Sequence, residues 1–512
     1  MNTCYIRKPT DSVGRVGSAD SQTGTLSVRS LMQTIITVVL LCGGAGKALT
    51  APNLLPFYRH ACLVDSGRHD GPSGETAVAF QEVVRVPGSP WMRLQISDSH
   101  LGRRSYAVLT SLLDGGQQRL AAGSLAQSGN WSAYFNGEAV RMELHVAPGD
   151  QGVFLRIEEI VVGEGVGANE AADPAFTAAA SCPDPRVPST DPRVGRITDL
   201  SATFVCTAWL ASNGSLVTAG HCADMDPDQF GPMFPDRVLD FTSATIVEFN
   251  VPASTPSGRL VFAAPIDQYP VIPSSVRWEF PGYVATFVGG DWAVFACGAN
   301  STTRLRPHQA QAAFFRVTNQ SPPPAFTVSV TGYGTDSTPP GSTGGENFRT
   351  VTQQTASGAY VGEFNVLPAP WPIPLPIGNY HYYPFDTEGG SSGGPVIWNQ
   401  TGFVIGIHVA GGCFAGIPGG TGTSTEHDPL EFALQTFASP NTRYVDAAPY
   451  PQFIIPIKNG TIFYPHDRVR EAVDGATAGA NISIVAGNYN EQLTISKSVT
   501  LTAPVGGVTI GR

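Results

Sequence analysis

The chain has 512 residues and a formal net charge of −11, with 14% charged and 42% hydrophobic residues, 57 glycines and 42 prolines. This length predicts two to four domains rather than one. The charge balance argues against a nucleic-acid-binding protein, because no lysine or arginine stripe exists to release counterions from phosphates. Abundant Gly and Pro with few charges suit an all-β, turn-rich, secreted protein better than a helical cytosolic one.

Residues 1–50 read as a signal-peptide region. The apolar run from Leu31 to Leu41 follows Arg29 and precedes small residues, which predicts cleavage around Ala48 or Ala51. The stretch ahead of the run is long for such a region, so Met32 is an alternative start. Leu40-Leu41-Cys42 faintly resembles a lipoprotein box, with an atypical leucine before the cysteine. The run is shorter than the ~20 apolar residues needed to span a bilayer, and no transmembrane segment is expected. The expected location is secreted, extracellular or in the cell envelope.

Residues 72–164 carry strand signals. Val140 to Val146 alternates apolar and polar residues, as do Met92, Leu94 and Ile96, and then Val153, Leu155 and Ile157. Turn clusters separate these runs, which predicts a β-sandwich of about seven short strands. Its segment NWSAYFNGEAVRMELHVAPG resembles jelly-roll modules that accompany exported bacterial peptidases. Such a module would bind a partner or assist folding; the plain alternative is an inert spacer. Surface or glycan contacts through the β-rich flanks stay open. Residues 165–195, rich in Ala, Pro, Asp and Gly, read as a linker, and Arg186, Arg193 and Arg196 in or beside it are candidate processing sites.

Residues 196–445 hold the residues with chemical promise. One segment reads Thr218-Ala219-Gly220-His221-Cys222, and another reads Gly389-Gly390-Ser391-Ser392-Gly393-Gly394-Pro395. A serine hydroxyl needs an imidazole to take its proton. It also needs backbone N–H groups that face a developing oxyanion, and glycines around Ser392 allow a turn that aims those of Gly390 and Ser392 at one point. Two motifs carry a family resemblance. TAGHC matches the histidine motif of chymotrypsin-like serine peptidases, and GSSGGP matches their serine motif with one change.

That resemblance implies a double β-barrel, an acyl-enzyme mechanism and a Ser392–His221–Asp triad, acting on protein or peptide substrates without metal or cofactor. It implies Asp291 as the third member, because Asp291-Trp292-Ala293-Val294 matches the family's aspartate at the head of an apolar strand. Asp224 and Asp226 stand too close to His221, and Asp240 and Asp267 lack that strand. It also implies a Cys206–Cys222 disulfide, since fifteen residues separate the two. Further disulfides are expected of an exported chain, but how Cys62, Cys182, Cys297 and Cys413 pair stays open; Cys182 with Cys297 and Cys62 with Cys413 is one candidate arrangement. Zinc is the alternative for cysteines beside histidines, but no Cys-x-x-Cys or His-x-x-x-His spacing occurs. Ser391 stands where family zymogens carry an aspartate, so activation by a freed N-terminal amine is not expected.

Specificity is divided. The strand Val404–Gly412 resembles the substrate-binding strand of bacterial glutamyl endopeptidases, in which His408 would contact an acidic side chain. Asp386 lies six residues before Ser392, the offset that in trypsin selects Lys or Arg, although Asp-Thr-x-Gly-Gly also occurs among glutamyl endopeptidases. Cleavage after Glu or Asp is the first expectation and cleavage after Lys or Arg the alternative. A peptidase-like binding or adhesion protein without catalysis is the other.

Residues 446–512 change character. Short Ile/Val/Leu/Thr runs split by Gly, Asn and Pro resemble one coil of a parallel β-helix, a fold that needs several stacked repeats. The chain is either truncated there or docks this segment on a neighbour.

Overall fold

The structure is a computed structural model. It describes residues 57–163, 185–200, 205–223, 241–256, 259–280, 289–335, 349–366, 376–385, 387–414, 417–449, 451, 453–454 and 457–511. The signal-peptide region lies outside these residues, as do Asp224, Asp226, Asp240, Cys182, Asp386 and residues 165–184 of the linker. No helix among the described residues is long and apolar enough to cross a membrane.

The fold is all-β, as composition and turn spacing predict. Two four-stranded sheets come first. One has the order β1 (Phe57–Asp65), β8 (Phe154–Gly163), β3 (Trp91–His100) and β6 (Phe135–Asn136). The other is β2 (Ala77–Arg85), β7 (Ala139–Val146), β4 (Tyr106–Ser111) and β5 (Gln117–Leu120). β7 alternates as its sequence does, with Val140, Met142, Leu144 and Val146 buried and the residues between them partly exposed. These side chains form one core with Leu94, Ile96, Leu155 and Ile157.

Two larger antiparallel sheets follow. The seven-stranded sheet is centred on β10 (Val194–Thr198), β11 (Val205–Leu210), β12 (Leu216–Thr218) and β16 (Trp292–Phe295), flanked by β13 (Ile246–Glu248), β14 (Gln268–Pro270) and β15 (Arg277–Glu279). The eight-stranded sheet runs β19 (Gly362–Val366), β20 (Pro376–Tyr383), β23 (Ile417–Ser424), β22 (Phe403–Phe414), β21 (Pro395–Trp398), β17 (Thr327–Gly332), β18 (Gln354–Ala359) and β9 (Val187–Pro188). β9 falls inside the segment 165–195 expected as a linker, yet pairs with β18 at Gln354 and Thr355. Two parallel sheets follow: one pairs β24 (Thr442–Val445) with β25 (Ala480–Ile484) and β25 with β27 (Val499–Thr502), and the other pairs β26 (Gly487–Tyr489) with β28 (Val508–Ile510).

The first pair of sheets is built into the seven-stranded sheet. Trp91, Trp131 and Tyr134 share a core with Ile246, Phe262 and Tyr269. The Tyr134 ring stacks on Phe262 at 4.1 Å. Tyr134 and Gln268 exchange hydrogen bonds, its N–H to Gln268 Oε1 at 2.8 Å and Gln268 Nε2 to its carbonyl at 2.9 Å. Arg93, fully buried, donates to the Ala244 carbonyl at 2.9 Å.

Two expectations need correction. Cys297 is a free, buried thiol and so does not pair with Cys182. Its site is apolar, and burial pushes its pKa up, so the thiol behaves as a small hydrophobe. Arg196 is not an available processing site, because it is fully buried on β10, opposite Glu248 of the neighbouring β13. Its guanidinium lies 3.1 Å from Glu248 Oε2, and the Thr198 hydroxyl and Ala263 N–H donate to the same carboxylate. Cys206 and Cys222 do form a disulfide, with Cα atoms 6.2 Å apart. Cys62 is also disulfide-bonded.

Removing Arg196 would leave the Glu248 charge buried without its cation. Arg196→Ala should cost about 3–5 kcal/mol, whereas Arg193→Ala, whose pair with Asp191 is one-third exposed on the arginine side, should cost at most about 1 kcal/mol. Urea denaturation of the two variants against the parent checks the contrast; equal losses would contradict it.

Candidate active site

His221 sits in a single helical turn, Gly220–Ala223, at the end of β12. Gly220 is required there by contact, since a Cβ on it would lie 2.0 Å from the Glu279 carbonyl oxygen. Asp291 heads β16, which pairs with β12 through Ala293 and Thr218. That pairing places the carboxylate against the turn. Asp291 Oδ1 accepts the backbone N–H of His221 at 2.9 Å, and Oδ2 lies 2.7 Å from Nδ1. The carboxylate is fully buried and the imidazole is 11% exposed. The contact fixes the ring's orientation and puts its proton on Nδ1. Thr423 on β23 clamps the backbone of Asp291, its hydroxyl donating to the Asp291 carbonyl at 2.8 Å and lying 3.2 Å from the Asp291 N–H.

The serine segment is held by its carbonyl groups. Glu388 O accepts from Ser391 N at 3.0 Å, Gly389 O from Thr335 N at 2.8 Å, Ser391 O from Gly394 N at 2.9 Å and Ser392 O from Thr207 N at 2.8 Å. Gly390 O accepts from the Thr207 hydroxyl, also at 2.8 Å. Every carbonyl from 388 to 392 is therefore bound. In a trans peptide the C=O and the following N–H point in opposite directions. Holding Gly389 O and Ser391 O turns the N–H groups of Gly390 and Ser392 the other way. Among the described residues neither of these two amides has a hydrogen-bond acceptor. Gly390 has φ +99° and Gly393 φ +88°, conformations that L side chains avoid, and a Cβ on Gly393 would strike Thr207 O and Thr218 Oγ1, each at 2.1 Å.

The Ser392 hydroxyl is partly exposed and donates to Val409 O at 3.2 Å. Ser392 meets the histidine turn through its carbonyl, 3.8 Å from Cys222 Sγ. The N–H of Gly393 donates to His408 O, and that of His408 to Gly394 O, each at 2.7 Å. Ser392, His221, Asp291 and His408 thus form one cluster between the two large sheets. Cys206 and Cys222 also lie beside His221, but their sulfurs are joined to each other and so provide no thiolates for a metal.

His408 is buried, with Nδ1 2.6 Å from the Tyr383 hydroxyl and Nε2 2.9 Å from the Thr387 hydroxyl. Burial, and secondarily the nearby His221, push its pKa down to about 3. The ring is neutral at physiological pH. Asp386 lies outside the described residues. Thr207, Thr423, Tyr383 and Thr387 carry no sequence signal of their own, because each is a common strand or turn residue whose role depends on what it faces.

No protein-family model matches the chain, and no curated protein matches it. Among solved structures, the chain is similar to a Glu endopeptidase in complex with MPD, at 20% identity and TM-score 0.33, over 49% of this chain and 97% of that one. It is similar to a thermostable serine protease from an extremophilic microorganism, at 14% identity and TM-score 0.32, over 46% and 91%. It is similar to a protease from M. tuberculosis in its active form, at 16% identity and TM-score 0.27, over 46% and 78%. None of the three is a β-helix protein, and the likeness expected for 446–512 has no support among them.

Proposed function

We propose that the chain is a secreted serine endopeptidase that hydrolyses peptide bonds through an acyl-enzyme on Ser392. One observation carries the reading. The carbonyl-bound turn 388–392 presents two unpartnered amides beside a serine hydroxyl, in the same cluster as an imidazole oriented by a buried carboxylate.

The chemistry follows from the positions. The Ser392 hydroxyl leaves Val409 O and gives its proton to Nε2 of His221. Its Oγ forms a bond to the substrate carbonyl carbon, and the oxygen of that carbonyl takes the negative charge between the Gly390 and Ser392 amides. Asp291 stabilises the imidazolium and keeps Nδ1 as the proton-bearing nitrogen. The intermediate collapses as the C–N bond breaks, and Nε2 protonates the leaving amine. Water then repeats the sequence on the ester. A purely binding role would leave the pairing of a buried carboxylate with the imidazole without a use.

The substrate preference that fits best is Glu, with Asp second. A carboxylate leaving water needs charged or hydrogen-bonding partners. His408 with the hydroxyls of Thr387 and Tyr383 forms a neutral polar group that can supply them. An incoming carboxylate would favour the protonated ring and raise its pKa. Cleavage after Lys or Arg is the alternative and requires the Asp386 carboxylate to line the pocket.

Ser392→Ala should abolish fluorophosphonate labelling and lower kcat by about 10⁶-fold while leaving the thermal transition unchanged; labelling that persists would assign the nucleophile elsewhere. Matched peptides with Glu, Lys or Leu before the scissile bond test the preference. His408→Ala should raise KM and reduce kcat/KM for the Glu peptide far more than for the Leu peptide. A Lys or Arg preference that disappears in Asp386→Asn would replace the acidic assignment with the trypsin-like one.

The state of His408 has its own test. Its folded pKa of about 3 lies below the ordinary value of 6.5, so both folded and unfolded chains carry it neutral above that value. As pH falls below 6.5 the unfolded chain takes up the proton first, and stability is lost down to about 3. His408→Gln should flatten that part of the acid limb of stability against pH, with His381 and His308, also shifted down, accounting for part of the remainder. An imidazole NMR signal that is missing in His408→Gln, and is thereby assigned to His408, would contradict a neutral ring if it titrated near 6.5.

A further inference from the structure

Arg186 lies in the segment 165–195 that reads from sequence as a linker, immediately before β9, and reads there as a place to cut. The structure gives it another setting. Its side chain is buried, and NH1 donates to the Thr335 carbonyl at 2.6 Å. The N–H of Thr335 donates to Gly389 O at 2.8 Å, one of the contacts that turn the serine segment. The same guanidinium borders the residue before the nucleophile. A methyl group placed on Gly334 would lie 2.6 Å from Ser391 Oγ, 3.1 Å from Arg186 NH1 and 3.1 Å from Glu388 O. Those three groups surround one point behind the turn.

The backbone of Arg186 is fixed as well. Its carbonyl accepts from Arg349 NH2 at 2.7 Å. Arg349 in turn donates to Gln354 Oε1 through Nε at 3.0 Å and through NH2 at 2.7 Å, and Gln354 Nε2 returns to the Arg349 carbonyl at 2.7 Å. Gln354 lies on β18, the strand that pairs with β9. The anchoring comes from the sheet on both sides.

We propose that Arg186 is a positioning residue for the oxyanion turn. Through Thr335 it holds the 389–390 peptide in the orientation that aims the Gly390 N–H at the reacting carbonyl, and it does so in the uncut chain. This role rests on the serine-peptidase reading. Ser391 carries no charge and so gives a new N-terminal ammonium no ion pair to form. A side-chain cation from the 165–195 segment is already in place, joined to the turn through Thr335. A guanidinium suits the place because its planar fork can face several acceptors at once. Without it, Thr335 loses an anchor and the 389–390 peptide is free to flip, which removes one of the two oxyanion donors.

The test uses the full-length chain with the linker intact. The uncut wild-type protein should label at Ser392 with a fluorophosphonate. Arg186→Ala should lose about 100-fold in kcat, the order seen when one oxyanion donor is lost, with KM changed little. Millimolar guanidinium or the Arg186→Lys change should restore part of the rate. Should Arg186→Ala fail to fold, Arg186→Met keeps the stem without the charge and is compared with Arg186→Lys. An active Arg186→Ala or Arg186→Met would overturn the role of Arg186 alone. So would a loss that neither guanidinium nor lysine repairs, or labelling of wild type that begins only after a cut before residue 186. Absence of Ser392 labelling in both uncut and cut wild-type protein would remove the peptidase reading and this role with it.

Discussion

The site depends on peptide orientation. A backbone N–H has no rotamer of its own, and it points opposite to the carbonyl of its peptide unit. Each carbonyl from Glu388 to Ser392 is held by a named donor, and the direction of the Gly390 and Ser392 amides follows. Thr207 supplies two of those donors, its N–H to Ser392 O and its hydroxyl to Gly390 O, while its hydroxyl also accepts from Tyr333 N. Its carbonyl accepts from the Thr218 hydroxyl at 2.7 Å. Thr207 follows Cys206 and His221 precedes Cys222, so the disulfide spans the same junction. His221 and Ser392 are thus both referred to one short stretch of β11 and β12, and Gly393 lets the serine turn press directly on it.

The surrounding architecture supports that junction from two directions. From the seven-stranded sheet, β12 and β16 bring Asp291 under the histidine. From the eight-stranded sheet, β22 and β23 bring Val409, His408 and Thr423. The N-terminal region reaches the first of these through buried contacts, a reciprocal pair between Tyr134 and Gln268 and a donation from Arg93 to Ala244 O. Those contacts hold β13 and β14, with Glu248 and Arg196 between them and the rest of the sheet. The sandwich is part of the packing of the site-bearing sheet and not a separate bead on the chain.

Sequence carried the parts of this account that local chemistry dictates. Strict alternation in Val140–Val146 identified a half-buried strand, because side-chain period two is a property of the backbone. The glycines of GSSGGP marked a tight turn, and TAGHC and GSSGGP together stood out through their resemblance to the chymotrypsin-like motifs. Asp291 was reached through the same resemblance, which places an aspartate at the head of an apolar strand, and its carboxylate lies against His221. Thr207 and Thr423 were not legible, since a buried threonine in a strand is common and its partner is distant in sequence. Arg186 and Arg196 misled because linker composition suggests exposure, whereas long-range partners at Thr335 and Glu248 bury both. Cys297 misled for a related reason, as an even count of cysteines does not say which thiol faces an apolar core.

The most direct test is a crystal structure of the chain inhibited by a peptidyl phosphonate with a Glu side chain at the position before the phosphorus. The account predicts a bond from Ser392 Oγ to phosphorus, with a phosphonyl oxygen about 2.7–3.1 Å from both the Gly390 and Ser392 nitrogens and the Glu carboxylate at His408. A phosphonyl oxygen turned away from those amides, or an adduct on another residue, would contradict it.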